Sequence, residues 1–233
     1  MGERIEEFSG WYFDKQLDFD KKLIRFRYLS IKRFFKGNKC LEMGPADGVM
    51  TELLVNNFEN LDIIDASKKM LDSIPDYPNI KKYNSLFENF QPSCKYDTII
   101  MEHVLEHIEF PVTVLEKVKS WLNKDGILII GVPNAKSFHR LAAVKMGLLK
   151  SEYSLNERDL ELGHFRVYDW DLLEREITDS GFKKVHQGGV FFKPLSNQQI
   201  QDMFSNEMIS AFYEMGKEFQ KNAAEIFIIV SPN

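Results

Sequence analysis

The sequence predicts an α/β domain built on a central, mostly parallel seven-stranded sheet flanked by helices, and three observations carry that expectation. Short apolar runs of strand length alternate with amphipathic helical stretches along most of the 233 residues, as they do where crossover helices cover both faces of a parallel sheet. At one junction the chain reads LEMGPADG (41–48) and passes from a strand through a glycine turn directly into a helix. The strand after that ends in an acidic residue, Asp65.

Taken in order, residues 16–35 place Ile24, Tyr28, Ile31 and Phe35 at helical spacing, and Gly37-Asn38 closes the helix. Residues 39–43 form a strand that runs into the glycine turn, and 49–56 a helix that leaves it. LDIID (61–65) is a second buried strand followed by a short helix through Met70 and Leu71, and 80–83 is a weak third strand. YDTIIM (96–101) is the fourth. Residues 111–122 form a helix with Pro111 in its first turn and Val112, Leu115, Val118 and Leu122 facing inward. The Asp125-Gly126 turn feeds the most apolar strand, ILIIGV. After Pro133 the pattern breaks, and 134–168 is long, polar and only partly helical, a kind of connection that is usually functional. Asp169 caps a helix with Trp170, Leu173 and Ile177 on its inner face, and Gly181 stands just past its end. Residues 182–190 read as a strand, 197–219 as one helix, and 225–230 as the last strand.

Composition narrows the classes. Apolar residues make up 44% and charged residues 28%, which is neither a disordered nor a membrane composition, and no apolar run approaches the ~20 residues of a spanning helix. The start, MGERIEEFSG, lacks a basic region followed by an apolar one, so no signal peptide is expected. Cys40 and Cys94 are too few for a disulfide framework, and the default is a reducing, cytoplasmic setting. A net charge of -5 disfavours nonspecific attraction to nucleic acid or anionic membranes. The expected partner is a small molecule, and the oligomeric state is left open.

A glycine turn between strand and helix, with an acid at the end of the next strand, is the arrangement by which open α/β sheets hold a nucleotide and its ribose. The alternative is a turn that merely connects. A dinucleotide is disfavoured, because the turn reads G-x-A-x-G and Asp47 would repel a pyrophosphate at the helix N-terminus. The same Asp47, with Glu42, suits a ligand carrying an ammonium and a sulfonium. At these residues the sequence resembles the class I S-adenosylmethionine-dependent methyltransferases, which have a Rossmann-like fold. LEMGPADG is similar to their first motif and IIDASKKML to their second-strand acidic motif. KYDTIIMEHVLEHI, WLNKDGILIIGVPN and GHFRVYDWDLLEREITDSGF resemble the branch that includes the ubiquinone-biosynthesis O-methyltransferases. The resemblance implies S-adenosylmethionine as cofactor. Gly44 and Gly48 would approach its methionine portion together with Ala46 and Asp47, and Glu42 would reach its ammonium through water. Asp65 and Ala66 would stand at its ribose, Ser85 and Leu86 at its adenine, and Glu102 at the end of the fourth strand. Ala46 replaces the usual middle glycine, and Ser85 stands where many relatives have Asp.

His103, Glu106 and His107 form HVLEH just beyond the fourth strand. A zincin would carry such a string inside a long helix, and this one leaves a strand for a loop. Glu106 reads first as a loop-shaping acceptor. His107 reads as a general base, an imidazole near its free pKa of ~6.5 taking a hydroxyl proton as the oxygen attacks the methyl carbon. The less favoured alternative makes His103, Glu106 and His107 ligands of a divalent metal, as an ExxEH cluster does in some small-RNA and quinone methyltransferases. His164 is a second catalytic candidate. Arg166 beside it suits an anionic group of the substrate, with a loop-fixing pair as the alternative; Lys193 and Tyr12 join it on the substrate rim. Trp11, Tyr12 and Phe13 are an aromatic cluster with core packing as the simpler role. The whole chain, 1–233, is read as one methyltransferase domain in which 1–36 is a helical lid and 134–168 a mobile cover over the acceptor. O-methylation of a small polar metabolite is the expected activity. N-methylation, an RNA acceptor and a noncatalytic methyltransferase-like subunit are the alternatives.

Overall fold

The computed structural model describes residues 10–12 and 14–232. Residues 1–9 and Phe13, part of the expected lid and aromatic cluster, lie outside the described residues. Seven strands, β1 (Lys39–Met43), β2 (Asn60–Asp65), β3 (Ile80–Asn84), β4 (Tyr96–Glu102), β5 (Leu122–Pro133), β6 (Phe182–Val190) and β7 (Glu225–Pro232), form one sheet. Their order is β3-β2-β1-β4-β5-β7-β6. The first five pair in parallel, and β7 runs antiparallel between β5 and β6. The chain winds outward from β1 in one direction and from β4 in the other, so the crevice at their carboxyl ends is the switch point where open sheets bind ligands.

Because both faces are covered, the strands are apolar on both sides. Leu41, Met43, Ile99, Leu128 and Ile130 face one core, with Val114, Leu115 and Val118 of α4 (Pro111–Trp121) and Leu173 and Ile177 of α7 (Trp170–Asp179). Cys40, Ile63, Ile100, Ile129 and Ile229 face the other. That second layer takes Phe19, Leu23 and Ile31 of α1 (Asp18–Ile31), Met50 and Leu54 of α2 (Val49–Leu54), and Ile209 and Tyr213 of α9 (Asn206–Glu218). The short α3 (Lys68–Ser73) starts on the Ser67 cap.

Three local expectations are corrected. The buried stripe of α1 is Phe19, Leu23, Arg27 and Ile31, not Ile24 and Tyr28, because the helix turns its polar Asp20 and Arg27 inward as well; past Ile31 it tightens into a 3-10 turn. The region 197–219 is two helices, α8 (Asn197–Met203) and α9, since the Ser205 hydroxyl accepts from the Met208 N–H at 3.3 Å and starts a new helix. β5 begins at Leu122, with Asp125-Gly126 inside it and a register shift opposite Tyr96. A side chain at Gly126 would put its Cβ 2.9 Å from the Tyr96 carbonyl.

The region 134–168 contains α5 (Phe138–Lys145) and α6 (Glu157–Glu161). Its two ends meet: Asn134 bridges to Tyr168, and the Ala135 N–H donates to the Tyr168 carbonyl at 2.6 Å. No helix among the described residues is long and apolar enough to cross a membrane.

Candidate active site

At the end of β1 the turn Gly44-Pro45-Ala46-Asp47-Gly48 places alternate residues in left-handed backbone, φ +68 at Gly44, +48 at Ala46 and +81 at Gly48. A Cβ on Gly44 would fall 2.7 Å from Val104 Cγ2, so glycine is needed for space as well as for conformation. Ala46 accepts the left-handed strain that the usual glycine would avoid. Glu42 is buried beneath the turn, where its carboxylate accepts from the Thr51 hydroxyl at 2.6 Å. Burial outweighs that bond and, with Asp47 and Asp65 nearby, pushes the Glu42 carboxyl up to about 8. Burial also raises Asp47, against the pull of the Val49 N–H.

At the end of β4, Glu102 is buried against Arg27 of α1, with Nη1 to Oε2 at 3.9 Å. The same guanidinium comes closer to Glu225 at the start of β7, Nε to Oε2 at 3.2 Å. Burial again leads at Glu102 and, with Glu225 and Glu106 opposing Arg27, takes its carboxyl up to about 8. At Glu225 burial is overcome by Arg27 and His103, and the carboxyl falls to about 2. His103 has left-handed backbone (φ +56), and its Nε2 lies 3.3 Å from Glu225 Oε1.

His107 stands edge-on to His164, with ring centroids 4.6 Å apart. Burial, then His164 and His103, drive the His107 imidazole down to about 3 despite its bond to the Leu162 carbonyl. The ordinary pKa expected for this group is therefore corrected: His107 is a neutral imidazole in a desolvated wall. His164 Nδ1 lies 3.3 Å from Asp159 Oδ1. Asp159 in turn pairs with Arg140 (Nη1 to Oδ2, 3.0 Å) and accepts from the Asn156 N–H, and these contacts hold it at about 2 in spite of burial. Arg140 also donates to the carbonyls of Glu152 and Ser154, which ties α5 to the segment that leads into α6. Arg158 pairs with Asp20 at 2.9 Å and covers the Trp11 ring, and Lys15 meets Glu161 at 2.6 Å, so the region before α1 is fastened to α6.

One cavity brings together Tyr12, Glu42, Gly44, Ala46, Asp47 and Glu102 with His103, His107, His164 and Lys193. Burial raises the Tyr12 phenol, with Glu106 and Asp47 adding to the effect. Gly48 is set back from this lining, its N–H donating to the Pro45 carbonyl at 2.9 Å. Asp65, Ala66, Ser85 and Leu86 gather beside it at the ends of β2 and β3. The Ser85 N–H donates to the Asp65 carbonyl at 3.1 Å, and Asp65 Oδ1 accepts from the Ser67 N–H at 2.8 Å. Arg166 is a correction: it is outside the cavity lining, donates to the Glu109 carbonyl at 2.9 Å and reaches the Tyr168 hydroxyl at 3.5 Å. Among the described residues, the arginines that do line the cavity are Arg27, Arg140 and Arg158. The metal-type cluster is also rearranged. Glu106, His107 and His164 offer ligand atoms within 4.8 Å of one another, whereas His103 lies between Glu106 (Nδ1 to Oε1, 3.7 Å) and Glu225 (Nε2 to Oε1, 3.3 Å).

The fold is Rossmann-like, and at its switch point Glu42 and Glu102 line one cavity with the glycine turn. The chain belongs to the methyltransferase-domain family, whose model matches residues 14–187. It is similar to the malonyl-[acyl-carrier protein] O-methyltransferase of Halalkalibacterium halodurans, 25% identical over 132 residues that cover 50% of this chain and 49% of that protein. It is also similar to the ubiquinone biosynthesis O-methyltransferase of Actinobacillus pleuropneumoniae, 26% identical over 51% of this chain and 54% of that one. The chain thus matches these curated relatives over about half their length. Among solved structures, the N-methyltransferase NodS of Bradyrhizobium japonicum in complex with S-adenosylhomocysteine superposes with a TM-score of 0.60 at 15% identity, covering 99% of this chain and 97% of that one. CcbJ methyltransferase of Streptomyces caelestis gives 0.64 at 11% identity, with 98% and 97% covered. At these identities the likeness is one of fold.

Proposed function

We propose that the protein transfers the methyl group of S-adenosylmethionine to an oxygen of a small polar metabolite, with the His107–His164 pair taking the acceptor's proton. The observation that carries this reading is the pair itself: two cavity-lining imidazoles in edge contact, one held by the Leu162 carbonyl and the other backed by an ionised Asp159. The cofactor supplies an electrophilic methyl on a cationic sulfur. Glu42, Asp47 and Asp65 bind and orient it, and the burial of the cavity wall excludes water. The bond from His107 to the Leu162 carbonyl fixes the tautomer and leaves the second ring nitrogen as acceptor. His107 is a weak base alone, and the ionised Asp159, 3.3 Å from His164 Nδ1, places a negative charge beside the pair. Two relatives named as O-methyltransferases support oxygen as the acceptor atom. The test is to measure S-adenosylhomocysteine formed from S-adenosylmethionine over a panel of hydroxyl-bearing metabolites. His107→Ala and His164→Ala should lower turnover while the product cofactor still binds. Unchanged turnover in both variants overturns the proton assignment.

One observation favours a second reading. Both Glu106 carboxylate oxygens are buried with no hydrogen-bond partner among the described residues, beside the two imidazoles. Glu106, His107 and His164 fit a divalent cation, which would lower the pKa of an acceptor hydroxyl. Activity abolished by a chelator and restored by a divalent metal selects this reading; activity indifferent to chelation removes it.

A further inference from the structure

Three buried or half-buried ion pairs stand around the cavity, Arg27 with Glu225, Arg140 with Asp159, and Arg158 with Asp20. Each arginine has a carboxylate of its own. Lys193 has none: it lines the cavity, and among the described residues no hydrogen bond or ion pair meets its ammonium. Burial, helped by Arg158 and Arg140 and opposed by Glu225 and Asp20, brings it down to about 8, so it keeps most of its charge at neutral pH. The backbone delivers it there at a cost. Phe191, two residues earlier, is a non-glycine residue at φ +65, and Gly216 lies so close that a Cβ there would overlap the Phe191 backbone. His139 of α5 lies next to it, its backbone N–H donating to the Lys193 carbonyl at 3.1 Å. Its ring also lines the cavity, and its Nδ1 is buried without a hydrogen-bond partner among the described residues. A half-buried cation without a counter-charge and a buried, unused imidazole nitrogen stand on one wall and are satisfied together by an anion.

We propose that Lys193, with His139 beside it, anchors an anionic group of the methyl acceptor, a carboxylate or a phosphate. This rests on the methyltransferase reading of the same cavity and adds the substrate class to it. The three paired arginines shape the wall, because their charges are already balanced. Lys193 and His139 give the acceptor its orientation, holding its acid end away from the carboxylates of the cofactor end and leaving its hydroxyl toward the histidine pair.

The experiment uses the full chain, first titrated to saturation with S-adenosylhomocysteine and then titrated by NMR with acid and neutral partners: acetate against acetamide, and glycerol 3-phosphate against glycerol. At least one acid should bind more tightly than its neutral partner by roughly tenfold or more, as for a hydrogen-bonded charge. Whichever acid is preferred identifies the group as carboxylate or phosphate. Lys193→Met should erase that preference and, with no anion present, leave the midpoint of thermal unfolding no lower than in the wild type, because no carboxylate among the described residues pairs with the ammonium it removes. Lys193→Arg should keep part of the preference. The proposal is overturned if the wild type binds acids and neutral partners alike, if Lys193→Met retains the preference, or if Lys193→Met lowers the unfolding midpoint as a structural lysine would. Failure of S-adenosylhomocysteine to bind in the first titration rejects the methyltransferase reading instead.

Discussion

The cavity wall carries buried carboxylates in two opposite states. Near the glycine turn, Glu42 has, among the described residues, the Thr51 hydroxyl alone, and Glu102 has the distant side of a guanidinium already engaged with Glu225; both carboxyls rise to about 8. Glu225, which shares Arg27 with Glu102, and Asp159 are comparably enclosed, yet each has an arginine and a histidine within reach and falls to about 2. Burial is common to all four, so the partner decides the charge. The weakly partnered acids are the ones a cationic ligand would ionise, and the closely paired ones are fixed charges that stand beside histidines.

The sharpest way to break this comparison is to remove the arginine that two of these acids share. Arg27→Met should leave Glu225 buried without its main counter-ion and cost about 3–5 kcal/mol of stability, read by denaturant unfolding. A loss within the range of a surface substitution would show that the pairing does not set the state of Glu225. The second test separates proton transfer from cofactor binding. His107→Ala should lower kcat by about 100-fold with S-adenosylhomocysteine affinity near wild type, measured by turnover and calorimetry side by side. Cofactor affinity falling in step with turnover would merge the two roles into one. Third, Asp65→Ala should weaken S-adenosylhomocysteine binding by about 1.5–3 kcal/mol, provided the variant keeps the wild-type circular dichroism spectrum; unchanged affinity would move the ribose elsewhere.

The smallest effect concerns protons. Glu42 and Glu102 have folded-state pKa values above those of the unfolded chain, so the stability they contribute is complete below the unfolded value of ~4.5 and is lost as pH rises through about 8. Without cofactor, the unfolding midpoint should therefore decline from pH 5 toward pH 8. A cationic ligand beside them favours the carboxylate form, so S-adenosylmethionine binding near pH 7 should release a fraction of a proton, seen as a dependence of calorimetric enthalpy on buffer ionisation. Proton uptake on binding would reverse the assignment. Glu225 and Asp159 have the opposite sign: their contribution is present above the unfolded carboxylate range and is lost only as pH falls toward about 2.

The same division governs what could be read from the sequence. Period and punctuation disclosed the strands, the glycine turn and the Asp169 cap, because each depends on residues within a few positions. Tyr12, His164 and Lys193, chosen for chemical type, are brought to the cavity, while Arg166, chosen for its nearness to His164, is not. The deciding pairs join residues remote in the chain, Arg27 with Glu225, Arg158 with Asp20 and Arg140 with Asp159. No local spacing marks them. Arg27 sits on the inward stripe of α1, where a reading of apolar periodicity passes over it. The break between α8 and α9 was signalled by Ser205 in a stretch otherwise apolar at helical spacing.

The position of β7 has a consequence for the order in which the protein can be made. Its residues, Glu225–Pro232, are translated after all the other strands, yet they occupy an interior place between β5 and β6. On the ribosome the ILIIGV segment of β5 therefore has an unpaired edge, and β6 has no strand to join, until this stretch has emerged. That open apolar edge is the hazard a growing chain must survive, by delay or by chaperone cover. The stretch that closes it also brings in Glu225, so the sheet is completed and the Arg27 charge neutralised by the same late arrival.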